Sequence, residues 1–298
     1  MKNRGILLTF SSYLLWGVLP GYFKLIDAAS PIEILAHRII WSFFFVVFLL
    51  LVQKRIPAFL RSINWKVFGM YLAAGVLLTI NWGVYVYGVT TDRIIETSLG
   101  YFINPLVSVV LGLVVLGERL RKFQWIAVAL ATAGVLYLTI TLGKVPWISL
   151  ILAVSFAVYG LIKKLAPLGA IEGLTMETAV VFIPAAAYFI YLLSKGQSAM
   201  QFGDIKLNIY LLAAGVVTAT PLILFAAGAK QIPLTLVGIL QYIAPSTQFL
   251  IGIFIFREPF NEHKLVGFIL IWIALIIFTL DGIRVYRQRR VPVQPRGA

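Results

Sequence analysis

The stretch Asn104-Pro105-Leu106-Val107-Ser108-Val109-Val110-Leu111-Gly112-Leu113-Val114-Val115-Leu116-Gly117-Glu118 is met again 140 residues later. The second copy reads Ala244-Pro245-Ser246-Thr247-Gln248-Phe249-Leu250-Ile251-Gly252-Ile253-Phe254-Ile255-Phe256-Arg257-Glu258, so both carry Pro-x6-Gly-x5-Glu in one register. Gly88 and Gly228 share the offset, and earlier in each copy Trp16-Gly17 is paralleled by Tyr159-Gly160 and Glu33 by Glu172. Self-similarity at a fixed period marks a chain built from repeated units. The halves that follow are residues 1–142 and 143–285, with a basic tail over 286–298.

Both copies are apolar almost throughout, and so is the chain. Of 298 residues 61% are hydrophobic and 12% charged, and the mean hydropathy is +0.96, against roughly 45–50% apolar residues in a soluble domain. The apolarity falls into ten runs, at 5–24, 33–52, 67–89, 96–116, 123–142, 147–163, 173–193, 208–229, 235–256 and 265–283. Each can cross a hydrocarbon core roughly 30 Å thick. The first, opened by Lys2 and Arg4, is too long for the apolar core of a signal peptide and reads as a retained span. The expected fold is an all-α integral membrane protein of ten transmembrane helices, five to a repeat. Five is odd, so the second repeat enters the membrane from the opposite face, as in the inverted repeats of secondary transporters.

Charge placement sets the orientation. With the N-terminus in the cytoplasm, 17 of the 25 Lys and Arg fall in cytoplasmic segments and 7 on the other side, with Arg38 inside a span. That is the positive-inside asymmetry of a cytoplasmic-membrane (inner-membrane) protein with both termini in the cytoplasm. A net charge of +14 therefore reads as a topology signal, and nucleic acid is not an expected partner. A small-molecule substrate and membrane lipid are, and a homodimer is left open.

Several chemistries are excluded. With no Cys and only His37 and His263, disulfides, thiolate chemistry and a metal site are not expected. Gly112-x4-Gly117-Glu118-Arg119 lacks the lysine and hydroxyl of a phosphate-binding loop. No cofactor is expected, and the chain does not read as an enzyme.

Polar residues at depth need a reason, since a charge at a helix centre costs about 2.5–3.5 kcal/mol on insertion scales. The second span opens Glu33-x3-His37-Arg38-x2-Trp41, and its counterpart in the second half opens Glu172-x4-Glu177. Arg38 and Glu177 thus stand at corresponding places, toward opposite faces, where each can hold one side of a cavity or gate. In the third span Asn81, Trp82 and Tyr85 share a side, and in the fourth Tyr101, Asn104 and Ser108 form a stripe. Pro105 and Pro245 each delete an N–H within a span and predict helix kinks. Asn104 and Gln241, with Tyr242 adjoining, stand near these prolines.

The stretches Glu33–Phe45, Ser98–Leu106 and Gln241–Pro245 resemble the EamA family of the drug/metabolite transporter superfamily, and the resemblance covers essentially the whole chain. It implies two five-helix repeats, cytoplasmic termini, and a central cavity lined by the first four helices of each repeat. The function implied is a permease or exporter moving a small polar or aromatic metabolite or drug by alternating access. Matching positions are Trp16, Lys24, His37, Arg38, Trp41, Asn81, Trp82, Tyr101, Asn104, Glu177 and Gln241. The rival reading is a membrane-embedded signalling or enzyme-like protein on the same fold.

Overall fold

The computed structural model describes residues 2–117, 119–200, 204–229, 231–232, 237 and 240–288. Glu118 of the repeat, part of the ninth span and most of the basic tail lie outside them. Every regular element among the described residues is a helix: α1 (Lys2–Lys24), α2 (Pro31–Val52), α3 (Ile56–Arg61), α4 (Trp65–Thr90), α5 (Ile94–Leu116), α6 (Lys122–Leu142), α7 (Trp147–Leu165), α8 (Ala170–Ser194), α9 (Ile205–Ala229), α10 (Ile243–Leu250) and α11 (Glu262–Gln288). A wide π-helical turn, Ile251–Ile255, continues α10.

Local signals start and stop these helices where composition alone would let them run on. The Ser30 hydroxyl accepts from the Glu33 amide at 3.2 Å with Pro31 at the first helical position, and Asn64 caps α4 by accepting from Val67 at 3.0 Å. Gly117 and Gly143 end α5 and α6 with φ of +65° and +64°, a conformation open to glycine without strain.

Eight helices are long and apolar enough to cross a membrane, and two further apolar helices, Trp147–Lys163 and Ile243–Ile255, are shorter. The chain is a multi-pass membrane protein. Two details depart from the sequence reading. The link between the second and third spans contains α3, which hydropathy does not reveal. The ninth span is not one unbroken helix: the chain turns at Gln241–Tyr242 and α10 starts at Ile243. Pro245 therefore stands in a first helical turn, where a missing N–H is no loss, while Pro105 stays inside α5.

Large apolar side chains such as Val114, Ile140, Ile183 and Phe254 point outward, as expected where the solvent is hydrocarbon. Inside, the most extensive contacts between helices come in matched sets. Besides the short α3, residues 1–142 hold α1, α2, α4, α5 and α6, and α7 to α11 follow. Exchanging the halves turns the α5–α7 contact into α1–α10, α2–α9 into α4–α8, and α1–α9 into α4–α7, and all six are present. The contacts α2–α8, α5–α10 and α6–α11 map onto themselves and are present as well.

Glycines mark the closest crossings. A Cβ on Gly75 of α4 would lie 2.7 Å from the Glu177 carbonyl oxygen in α8, and one on Gly215 of α9 would meet the backbone of Trp41 and Ser42 in α2. Gly75 and Gly215 are 140 residues apart, at the offset of the quoted repeat. Such close approach is how membrane helices gain packing energy without a hydrophobic drive.

Candidate functional site

The buried polar side chains gather where the two halves meet. Arg38 projects from α2 into a fully buried position, 2% exposed. Its Nε donates to Thr218 Oγ1 of α9 at 3.1 Å and its Nη1 to the Trp82 carbonyl of α4 at 3.5 Å. The guanidinium carbon lies 4.6 Å from the Trp82 ring and 4.8 Å from the Phe23 ring of α1, a double cation–π arrangement. Tyr85 is buried beside them, its ring edge-on to Phe23 and to Tyr101 at centroid distances of 6.0 and 5.8 Å. Three helices besides α2, drawn from both halves, thus touch one cation.

Below this group a polar seam stitches the halves. The Asn81 amide donates to the Leu152 carbonyl at 3.1 Å and to Ser155 Oγ at 3.0 Å, both in α7, while its oxygen accepts from Tyr101 at 3.1 Å. Asn104 donates to the Ala153 carbonyl at 3.0 Å, so it serves α7 rather than a carbonyl freed by Pro105. In the exchanged pair of helices Gln248 of α10 donates to the Trp16 carbonyl of α1 at 3.0 Å. Asn81→Leu removes three contacts between helices at about 0.6 kcal/mol each, with about 1.7 kcal/mol as a ceiling for any one. We expect roughly 2 kcal/mol less stability in detergent denaturation, with Asn104→Leu costing about a third as much.

The other expected site residues are more dispersed. His37 is buried, accepting on Nδ1 from Trp41 Nε1 at 2.9 Å, with Nε2 4.0 Å from Glu33 and the ring against Phe189. It therefore belongs to the α2–α8 contact. Trp16 packs against Tyr13 and Phe225. Lys24 sits at the end of α1, 2.5 Å from Asp92, and Gln241 and Tyr242 form the turn before α10, where Tyr242 stacks on Phe102. Glu177 is buried on α8, held by Lys163 at 2.7 Å and Tyr159 at 3.1 Å from α7. It makes no contact with Arg38.

One end of the bundle is closed by contacts between segments distant in sequence. Glu258 accepts from the Ile94 and Ile95 amides at 2.5 and 2.9 Å, capping α5 with both carboxylate oxygens. Burial pushes its carboxyl above the ordinary carboxylate range, and the two amides and Lys264 pull it partly back. Nearby, Glu33 accepts from Ser198 Oγ at 2.6 Å and from the Ala199 amide at 2.8 Å. A cleft of about 240 Å³ opens here among Arg93, Glu96, Lys144, Glu258 and Lys264.

Sequence reasoning missed Thr218, Phe23, Gln248, Ser155 and the pair Gly75/Gly215. The glycines and Gln248 had a usable signal in the 140-residue offset, since Gln248 falls opposite Ser108 of the polar stripe. Phe23 had none, being an aromatic in an apolar run.

The profile of the EamA-like transporter family matches the chain twice, over residues 3–140 and 144–280. The chain belongs to this family. Among its EamA-like relatives, "Protein RarD" of Streptomyces exfoliatus is 43% identical over 98% of this chain and 93% of its own. "Uncharacterized transporter YojE" of Bacillus subtilis is 43% identical over 95% of each. A crystal structure 18% identical to this chain aligns with TM-score 0.60 over 96% of this chain and 99% of that one, a likeness of fold. This EamA-like chain is a multi-pass membrane transporter of the RarD type.

Proposed function

We propose that the chain is a secondary carrier of the cytoplasmic membrane, with both termini in the cytoplasm. It moves a small polar or aromatic metabolite by alternating access between two inverted five-helix halves, residues 1–142 and 143–285. The observation that carries this reading is that, for the nine most extensive contacts between helices, exchanging the halves returns a packing pair that is also present. A bundle with two equivalent ways of pairing its halves has the raw material for two states of similar energy, which alternating access requires. The tandem family match supports the division, and the 17-to-7 distribution of Lys and Arg supports the orientation.

In this orientation the end closed by Glu258, Glu33 and the Lys24–Asp92 pair faces the exterior. Substrate then meets the Arg38 group from the cytoplasmic side of the closure. His37, Trp41, Trp16 and Glu177 act as supports or gates around it, and Asn81, Tyr101 and Asn104 hold α7 against α4 and α5.

Two measurements test this. Purified protein in liposomes loaded with a metabolite panel is expected to give saturable counterflow of at least one solute; none for any solute would sink the carrier reading. Reporter fusions at Arg61 and Gly297 are expected to report cytoplasm, and one at Gln197 the exterior. A cytoplasmic signal at Gln197 would overturn the inverted topology.

A further inference from the structure

Among the described residues the buried acids are all answered. Glu177 has Lys163, Glu172 has Arg55, and Asp281 has Arg121. Glu33 takes a hydroxyl and an amide, and Glu258 takes two amides. Arg38 is the exception among these buried charges, with no carboxylate of the described residues within 4.0 Å. Its Nε and Nη1 donate to a hydroxyl and, at 3.5 Å, to a carbonyl, whereas its Nη2 has no hydrogen-bond partner among the described residues. The Tyr85 hydroxyl, on α4 one turn from the Trp82 ring that covers the guanidinium, is buried without a partner.

The two rings that flank the guanidinium offset its charge but offer no acceptor atoms. What the guanidinium lacks is therefore a pair of anionic oxygens, and a buried hydroxyl such as that of Tyr85 is rarely left without a partner. A planar guanidinium fork matches a carboxylate bidentately, and the Tyr85 hydroxyl is a third donor.

We propose that Arg38 and Tyr85 hold the carboxylate of an organic monoanion whose flat, apolar body lies among Phe23, Trp82 and Tyr101. The same charge inventory selects against a zwitterion. An ammonium group would need a carboxylate of its own, but Glu177 is neutralised by Lys163. Glu33, five positions from Arg38, lies about 140° round the helix and is already engaged. The inference rests on the carrier reading only in treating this ligand as cargo.

The test compares three ligands of one skeleton on purified full-length protein: 3-phenylpropionate, its amide, and phenylalanine. Equilibrium binding, read by tryptophan quenching and scintillation proximity, is expected to favour the acid at least tenfold over both others. Arg38→Gln is expected to erase that preference, Arg38→Lys to weaken the acid about tenfold through loss of the fork, and Tyr85→Phe a few-fold. Equal binding of acid and amide, tighter binding of phenylalanine, or no binding of the acid at millimolar concentration overturns the proposal. If Arg38→Gln fails to fold, the three-ligand comparison on the wild-type protein still decides. Flux of labelled 3-phenylpropionate is scored separately. Binding without flux keeps the site and sinks the carrier, whereas saturable flux of a neutral solute with no preference for the acid keeps the carrier and sinks the anion.

Discussion

Gly215→Ala and Gly75→Ala are each expected to lose most of their folded, monodisperse protein. The added methyl is the Cβ itself, so no rotamer can move it aside. At position 215 it would coincide with the Trp41–Ser42 peptide, and at 75 it would lie 2.7 Å from a backbone oxygen and 2.8 Å from Val180 Cγ2. Backbone on both sides means that whole helices must separate, which at position 215 also breaks the Ser42 hydrogen bond to the Gly215 carbonyl at 3.2 Å. Overpacking of well-packed interiors costs typically 1–3 kcal/mol, and here we expect about 3 kcal/mol or more because at both positions the nearest atom is backbone. The control is Gly69→Ala, where nothing lies within 4 Å and helix propensity favours alanine by about 1 kcal/mol. If all three variants behave alike in detergent unfolding, close backbone approach is not what holds α2 to α9 and α4 to α8.

Lys163→Met is expected to be nearly as damaging, for an electrostatic reason. Its ammonium lies 2.7 Å from a Glu177 side chain that is wholly buried, and removing one member of such a pair costs about 3–5 kcal/mol because the other charge is left alone at depth. The double variant Lys163→Met with Glu177→Gln leaves no charge and keeps an oxygen for the Tyr159 hydroxyl. It should regain most of the loss. A double variant no more stable than Lys163→Met alone would mean that Lys163 acts by packing on Tyr71 and Tyr159 rather than by charge.

Which stretches form helices was largely readable because it depends on composition: apart from the ninth, the apolar runs became single helices, and some of their ends fell at capping residues. Which side chains would meet was less readable. Arg38, Trp82, Tyr85 and Tyr101 stood out as polar or aromatic groups in apolar surroundings, and the fold brings them together. Trp16, Lys24 and His37 looked similar in sequence, yet Trp16 and Lys24 find their partners elsewhere and His37 turns its ring to Trp41 and Phe189 with Nε2 unpartnered, because the rotation of a helix about its axis is set by packing that periodicity cannot resolve in a chain apolar on nearly every face. Hydroxyls mislead in the same way. Thr79, Thr90, Thr132, Thr139 and Thr175 donate to carbonyls four residues back in their own helices, so their polarity is spent locally.

The wide turn at Ile251–Ile255 gives the bundle slack in one place. It carries more residues per turn than an α-helix, and it delivers the chain to Glu258 just where that carboxylate reaches the Ile94 and Ile95 amides. Rewinding one residue of it into α-helical pitch would push the following chain out by about 1.5 Å and swing it through about 100°. Both carboxylate oxygens would leave their amides together, while the packing of Phe249 on Phe268 deeper in the bundle need not change. A latch of this kind opens by a change of thread rather than by a break, so the α5 cap can be released and remade without unfolding any helix.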